Sequence, residues 1–420
     1  MKIVIEKLKK YQREILVVLF VIALILRIVA YNLFIDSYGT DFGDSAEYQD
    51  MGYQIAEGNW NPRLGDGPMV VAPGIPLIVA ASKLLFGDGI FPTVILNIIL
   101  TSLAVFVLYY IGSWLFNWQV GLLLALWVAV YYEAIKFSMF THKEAVIFFI
   151  FPFTILFLLK SLDKEFSLKY IFLSALSFNL LIHVDERFVV YLLIFPLVYF
   201  INHNSLKIIN KTKPCFAWVT LVLLMMIPWT IRNYYVFDQV VILSPRTTVF
   251  TAKIWGKVLD DAHFTGELSK DKIRDYVIRK AEKYEKEYGL HPRIFGKTEA
   301  RIKAFFNYWQ PTYFDPHLTT TGYRIVHWST RMNIASIFYY GIYLPFYIIG
   351  ILLLIRRKHY IALFLAAIPV LHSLLHAYMI WTVWRYRSPM DFIVAMIGIW
   401  TIIEIYKFVK KKITLTKQTV

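Results

Sequence analysis

Cysteine is almost missing: Cys215 is the only one in 420 residues. A single thiol excludes an internal disulfide and a cysteine metal cluster. The chain also lacks a glycine-rich phosphate cradle, a Gly-x-Ser-x-Gly turn and any Cys-x-x-Cys pair. Nucleotide-sugar chemistry of the soluble kind therefore has no seat in it. No internal repeat and no low-complexity linker is present. A cleavable signal peptide is not expected. The first apolar run, residues 15–35, is too long for one and has no small-residue cleavage site.

What is present is apolar. The chain is 58% hydrophobic, where soluble domains run at roughly 45–50%. Windows of about 20 apolar residues mark helices able to cross a bilayer some 30 Å thick. Ten such spans are read, at 15–35, 91–115, 119–138, 144–160, 168–184, 188–202, 215–235, 333–355, 360–381 and 389–407. The sixth is short and holds Pro196. The 12 Trp, 28 Tyr and 33 Phe suit the aromatic belts at membrane interfaces. A net charge of +15 invites a nucleic-acid partner, but the basic residues cluster at the ends of apolar runs. That is topology information, and no nucleic acid is expected.

Five basic segments set the orientation. Residues 1–14 and 407–417 carry five Lys/Arg each, and 160–169, 202–213 and 356–358 carry three each. With both termini cytoplasmic, all five fall inside. Left outside are 36–90, 138–144, 183–187, 236–332 and 381–389, which hold the unusual polar clusters. The expected fold is thus an all-α polytopic membrane protein of the cell membrane, with a site on its extracytoplasmic face. Three parts are expected: a transmembrane core, 1–235, including the outer loop 36–90; a mainly helical outer insertion, 236–332; and C-terminal transmembrane helices, 333–420. Within the insertion, 269–289 reads as a charged helix. Residues 296–309 read as another, with Ile302, Phe305, Phe306 and Trp309 on one stripe.

Each outer polar cluster has a plain reading and a chemical one. Thr40–Gly58 carries Asp41, Asp44, Glu47, Asp50 and Glu57. Asp44, Tyr48, Met51 and Ile55 share one helical face. Asp44 can cap that helix with Glu47 in a capping box, or act as a general base; a capped carboxylate is the weaker base. Asp41 is the rival base. Thr141 and Glu144 repeat the capping pattern, with His142 and Lys143 adding cationic or metal-binding character. Asp185, Glu186 and Arg187 fit a solvated turn with a local ion pair, or an arginine aimed at phosphate. Arg385 and Arg387 flank Tyr386 on the side where the positive-inside rule disfavours them. They suit lipid headgroups or bidentate phosphate binding. His372 and His376 sit four apart; with no third ligand nearby, packing or a hydrogen bond is expected of them.

Four stretches resemble the GT-C membrane glycosyltransferases, in the branch with the dolichyl-phosphate-mannose protein mannosyltransferases and the lipid A aminoarabinose transferase. They are DFGDSAEYQDMGYQIAEGN (41–59), APGIPLIVAASKLLFG (72–87), IPWTIRNYYVFDQVVILS (227–244) and RYRSPMDFIVAMIGI (385–399). The likeness covers most of the chain in order, except 245–300. It implies a sugar donor on polyprenyl phosphate, inversion at the anomeric carbon, and a first-loop Asp as base. Asp44 matches that position best, then Asp41. The acids here are spaced, where many eukaryotic members have an adjacent Asp-Glu pair. The chain also has fewer spans than larger relatives and no large C-terminal outer domain, so the acceptor does not carry over; glycan, lipid and protein stay open.

The chemistry this implies needs cations for the leaving phosphate. The candidates are Arg385 and Arg387, then Arg232 and Arg187. Glu144, His142, Lys143, Tyr48 and Tyr386 are further substrate or metal contacts. A monophosphate leaving group requires no cofactor, though His142 with Glu144 can hold a divalent cation. The partners expected are the bilayer, a polyprenyl-phosphate-linked sugar and an acceptor. The main alternative is a flippase or transporter of a lipid-linked or anionic substrate. Transporters more often show inverted repeats and broken helices at the midplane.

Overall fold

The computed structural model describes residues 6, 8–38, 44–64, 67–68, 71–163, 166–201, 207–238, 240–244, 298–311, 330–379 and 384–416. They are almost entirely helical. The helices are α1 (Gln12–Tyr38), α2 (Ser45–Ala56), α3 (Gly74–Phe86), α4 (Phe91–Leu115), α5 (Trp118–Val130), α6 (Tyr132–Ser138), α7 (Lys143–Lys160) and α8 (Leu168–Val184). After a run of 3-10 turns come α9 (Val198–Ile201), α10 (Ile208–Phe237), α11 (Thr298–Tyr308), α12 (Thr330–Ser336), α13 (Tyr343–Arg356), α14 (Tyr360–Met379), α15 (Trp384–Arg387) and α16 (Asp391–Thr416). Two two-residue strands, Arg63–Leu64 and Gly67–Pro68, pair antiparallel between α2 and α3. The predicted helix 269–289 lies outside the described residues, whereas the one predicted at 296–309 is α11.

Among the described residues, six helices are long and apolar enough to cross a membrane: 12–35, 91–115, 208–236, 333–356, 360–377 and 385–414. The α5–α6 pair makes a seventh if it is one span; it bends by 46° at Tyr131, whose backbone is extended. Helices α3 and α8 are apolar but shorter. The predicted sixth span differs most. Residues 186–197 form 3-10 helices, Glu186–Leu192 and Phe195–Leu197, before the single turn of α9. Pro196 has no N–H for a regular helical ladder, and 3-10 runs are short by nature. A helix is also present where an outer loop was read: α3 lies wholly within 36–90.

The described chain forms two compact units. One comprises 1–23, 105–132 and 295–420; the other comprises 24–104 and 133–294. In the first, α16 packs along α13 and α5, and α11 lies on α14. In the second, α7 pairs with α8, α8 with α10, and α2 with α3. The α7–α8 pair is antiparallel by its short connection, so the start of α7 and the end of α8 share one end.

Helices α2 and α3 approach closely because Gly52 has no side chain. A Cβ there would lie 2.5 Å from Val79 Cβ and 2.9 Å from the Pro76 carbonyl oxygen. Tyr48, Met51 and Ile55 are buried on the same face of α2. This is the face read from the sequence, and α3 is what covers it. Replacing Gly52 by Val should therefore force the pair apart, at about 1–3 kcal/mol for an overpacked contact. Melting of the solubilised protein should fall by several degrees, and Gly52→Ala should fall less.

Candidate active site

The site residues divide between the two units. Asp44, Tyr48, His142, Lys143, Glu144, Arg187 and Arg232 belong to one; Arg385, Tyr386 and Arg387 belong to the other. Asp41 lies outside the described residues.

Asp44 stands at the head of α2, and its side chain makes no capping hydrogen bond. The capping box expected with Glu47 is not formed. The carboxylate is half-buried and is not tied to the amides of the first turn. Its place follows from how α2 lies on α3. Gly52 faces Pro76 and Val79, Glu57 pairs with Lys83 at 2.8 Å, and the Gly89 N–H donates to the Tyr53 hydroxyl at 2.7 Å. Both helices thus run the same way, and Asp44 lies toward the N-terminal end of α3. That end abuts another segment: a Cβ on Gly74 would meet the His183 carbonyl oxygen at 2.6 Å and Val184 Cα at 2.8 Å. The APGIP stretch is therefore a packed joint between the acidic helix and the end of α8.

At that joint the chain turns at Asp185, which is fully buried. Its Oδ1 accepts from the Arg187 backbone N–H at 3.1 Å and from Arg187 Nε at 2.8 Å. Its Oδ2 accepts from Arg187 Nε at 3.0 Å and from the guanidinium Nη2. Lys143 Nζ, at the start of α7, lies 3.5 Å from Oδ2. Burial works against ionisation of Asp185, but the Arg187 and Lys143 charges outweigh it, and the carboxyl is held well below the usual range. The local arginine–carboxylate pair read from the sequence is present, but its carboxylate is buried rather than solvated, with Arg187 half-buried beside it.

The segment before α7 is interior too. Residues 139–144 are all buried, and Asn97 Nδ2 donates to the Phe140 carbonyl at 2.7 Å. His142, not Thr141, precedes the helix, and it supplies no side-chain cap. The second expected capping box is therefore also not formed. Glu144 Oε2 lies 3.3 Å from His142 Nδ1 instead. His142, Lys143, Glu144, Asp185 and Arg187 thus meet at one corner, where α7 begins and α8 ends. Among the described residues no three of His, Cys, Asp and Glu group as metal ligands do.

Arg232 is placed differently from a free phosphate ligand. Its Nε donates to the Trp60 carbonyl at 2.9 Å, and its Nη1 donates to Asn233 Oδ1 at 2.9 Å. Its guanidinium lies 4.7 Å from the Trp229 ring centroid. The IPWTIRNYY stretch also holds the chain that follows it. Trp229 donates to Leu243 O at 2.7 Å, Thr230 to Ile242 O at 3.1 Å, and Asn233 to Val241 O at 2.8 Å.

In the other unit, Arg387 is buried. It bonds Asp391 Oδ1 at 3.1 Å and the carbonyls of Tyr308 and Gln310. The Tyr340 ring lies under its guanidinium at 3.7 Å, and the Tyr131 hydroxyl donates to Asp391 at 2.7 Å. Arg385 is only half-buried. It lies over Tyr386, 5.1 Å from the ring centroid, and Tyr386 stacks on His376 at 5.2 Å. His372 and His376 face each other, Nε2 to Nε2 at 3.1 Å, as expected of a hydrogen-bonded pair. Of the two arginines in the motif, Arg385 retains the more accessible side chain.

Some buried ionisable groups were not singled out in the sequence. Arg27 in α1 is fully buried and donates through Nε to Thr101 Oγ1 at 2.9 Å. Glu133 and Lys136 in α6 are buried as well. The available signal was a charge inside an apolar run, where such residues are costly and seldom idle.

Residues 68–231 match the family model for dolichyl-phosphate-mannose-protein mannosyltransferase. The match includes the APGIP joint and the Asp185 corner; it begins after Asp44 and ends one residue before Arg232. No curated protein matches the chain significantly. The oligosaccharyltransferase AglB of Archaeoglobus fulgidus, in complex with an inhibitory peptide and a dolichol-phosphate, matches with TM-score 0.60 and 13% identity, over 98% of this chain and 52% of its own. The same archaeon's oligosaccharyltransferase tethered to an acceptor peptide gives TM-score 0.60 at 13% identity, over 95% and 50%. ArnT of Cupriavidus metallidurans bound to undecaprenyl phosphate gives TM-score 0.39 at 14%, over 92% and 77%. The chain spans about half the length of the archaeal enzyme, and at 13% identity that likeness is one of fold.

The Asp185 cluster has a measurable signature. A carboxyl whose folded pKa is depressed stabilises the protein above its unfolded pKa, and that stability drains away as pH falls through the acidic range. Asp185→Asn leaves buried Lys143 and half-buried Arg187 without their acid, which should cost up to about 3–5 kcal/mol near neutrality. The gap between wild type and variant should narrow below the ordinary carboxylate range. Thermal melts of both proteins across that range would check the sign.

Proposed function

We propose that this chain, which resembles the GT-C membrane glycosyltransferases in sequence over residues 68–231 and in fold, is an inverting transferase. It moves a sugar from a polyprenyl-phosphate donor to an acceptor hydroxyl at the outer face of the cell membrane. In this reading the chain crosses the bilayer ten times, with 188–202 as the sixth crossing. Both termini are cytoplasmic, and 236–332 form an extracytoplasmic insertion between 1–235 and 333–420. The five basic segments support that orientation. A dolichol-phosphate is present in the complex of the archaeal oligosaccharyltransferase whose fold this chain shares, which supports the donor class.

The observation that carries the reading is the placement of Asp44. It heads α2 with no capping bond, and α2 lies on α3 so that this head points toward the end of α3 that abuts the 183–187 corner. The Asp44 carboxylate takes the acceptor's hydroxyl proton as the oxygen attacks the anomeric carbon. The bond from that carbon to the phosphate oxygen breaks on the opposite face, and its electron pair leaves with the lipid phosphate. Asp41 is the second choice of base. Arg385 is the first choice for the phosphate, being half-buried and supported on Tyr386. Arg387, Arg232 and Arg187 shape the surroundings through the bonds they already make. No cofactor is invoked. The acceptor is a hydroxyl of a glycan, a lipid or a protein.

A general base contributes typically about 10²–10⁴ in rate. Asp44→Asn should therefore cut transfer by about that factor while leaving the melting temperature within a degree or two. Transfer is read as release of sugar-free lipid phosphate from radiolabelled polyprenyl-phosphate sugars. Full activity in Asp44→Asn would move the role to Asp41. Arg385→Ala should weaken donor binding by roughly tenfold or more, as expected for a charged hydrogen bond of about 1.5–3 kcal/mol. Movement of intact lipid-linked sugar without cleavage would favour a flippase instead.

A further inference from the structure

Helix α3 has two very different halves. Gly74, Ile75, Pro76, Val79 and Ala80 are buried. The last three residues are not: Leu84 is 70%, Leu85 73% and Phe86 72% exposed. Three consecutive side chains cover nearly the full circumference of a helix. This is therefore an apolar tip, not one face of an amphipathic helix. Leaving such side chains in water forgoes about 1.5–3 kcal/mol each.

The tip is continuous with a surface that faces lipid. Gly87 and Gly89, both at positive φ, turn the chain at once into α4. There Phe91, Ile95 and Ile99, four residues apart, form an exposed stripe on a membrane-spanning helix. Charged groups flank the tip on the side of α2. Lys83 Nζ bonds Glu57 at 2.8 Å and lies 3.3 Å from Asp88. It also sits 4.4 Å from the Tyr53 ring centroid. The Glu57 bond raises the Lys83 pKa, so Lys83 stays cationic. An apolar end beside a fixed charge belt is the pattern of a membrane-interface element.

We propose that Leu84, Leu85 and Phe86 are embedded in the acyl chains of the leaflet where α4 begins, with the Lys83–Glu57–Asp88 cluster at headgroup depth. The α2–α3 pair, Asp44 included, is thereby moored to the bilayer by a contact separate from the spans. The inference does not rest on transfer chemistry, and a protein inactive with every donor would still show it.

The test uses the full chain with Cys215→Ser, which removes its one cysteine, reconstituted in phosphatidylcholine–phosphatidylglycerol vesicles. A nitroxide is attached at Leu85→Cys, with Ile95→Cys as the lipid-facing control and Asn59→Cys as the exposed polar control. Power saturation is measured with oxygen, which concentrates in acyl chains, and with a neutral nickel chelate, which stays in water. The Leu85 label should respond more to oxygen than to nickel, as at Ile95. A nickel-dominated response, as at Asn59, would place the tip in water and overturn the proposal. Protection from both reagents would mean that protein covers the tip, and would also overturn it. Labels at Leu84 and Phe86 repeat the measurement if the Leu85 variant folds poorly.

Discussion

A buried charge must be answered inside the protein, and Asp185 shows how that demand is met. It has no exposed surface, and it is held by Arg187 from the next turn and Lys143 from the start of α7. In an apolar medium no water can stand in for either partner. The position of α7 against the end of α8 is therefore fixed by ionic geometry as well as by packing. The same corner receives the first residues of α3 through Gly74. Three separate stretches of sequence are thus referred to one carboxylate.

Four arginines that look alike in a sequence are not alike in space. Arg187 answers Asp185. Arg232 holds the Trp60 carbonyl and stacks on Trp229. Arg387 is enclosed by Asp391, two carbonyls and the Tyr340 face. A guanidinium has five donors in a rigid plane, so it is well suited to tie backbone together as well as to hold phosphate. Arg385 and Arg232 are both half-buried over an aromatic ring, Tyr386 and Trp229 respectively.

The long apolar helices were legible because length and composition alone mark them. The apolar stretches 12–35, 91–115, 208–236, 333–356, 360–377 and 385–414 all stand close to where the sequence put spans, although 333–356 is divided between α12, a π-helical turn and α13. The face of α2 was legible as well, since Tyr48, Met51 and Ile55 repeat at helical spacing. What was hidden depended on contacts between distant residues. The Asp44–Glu47 and Thr141–Glu144 patterns both looked like capping boxes, and in neither does the residue that precedes the helix make a side-chain capping bond. The break at Tyr131 falls inside a mainly apolar run, two residues before Glu133; its hydroxyl is bonded to Asp391, 260 positions later. The burial of 139–144 was equally invisible, because Asn97 and the Asp185 cluster are far away in sequence.

The bonds from Trp229, Thr230 and Asn233 to residues 241–243 have a meaning for evolution. They join side chains of one helix to the main chain of the strap, so they hold the path of 241–243 whatever side chains those residues carry. Residues 241–243 are therefore fixed to α10 through their backbone, and substitutions at Val241, Ile242 and Leu243 leave those three bonds available.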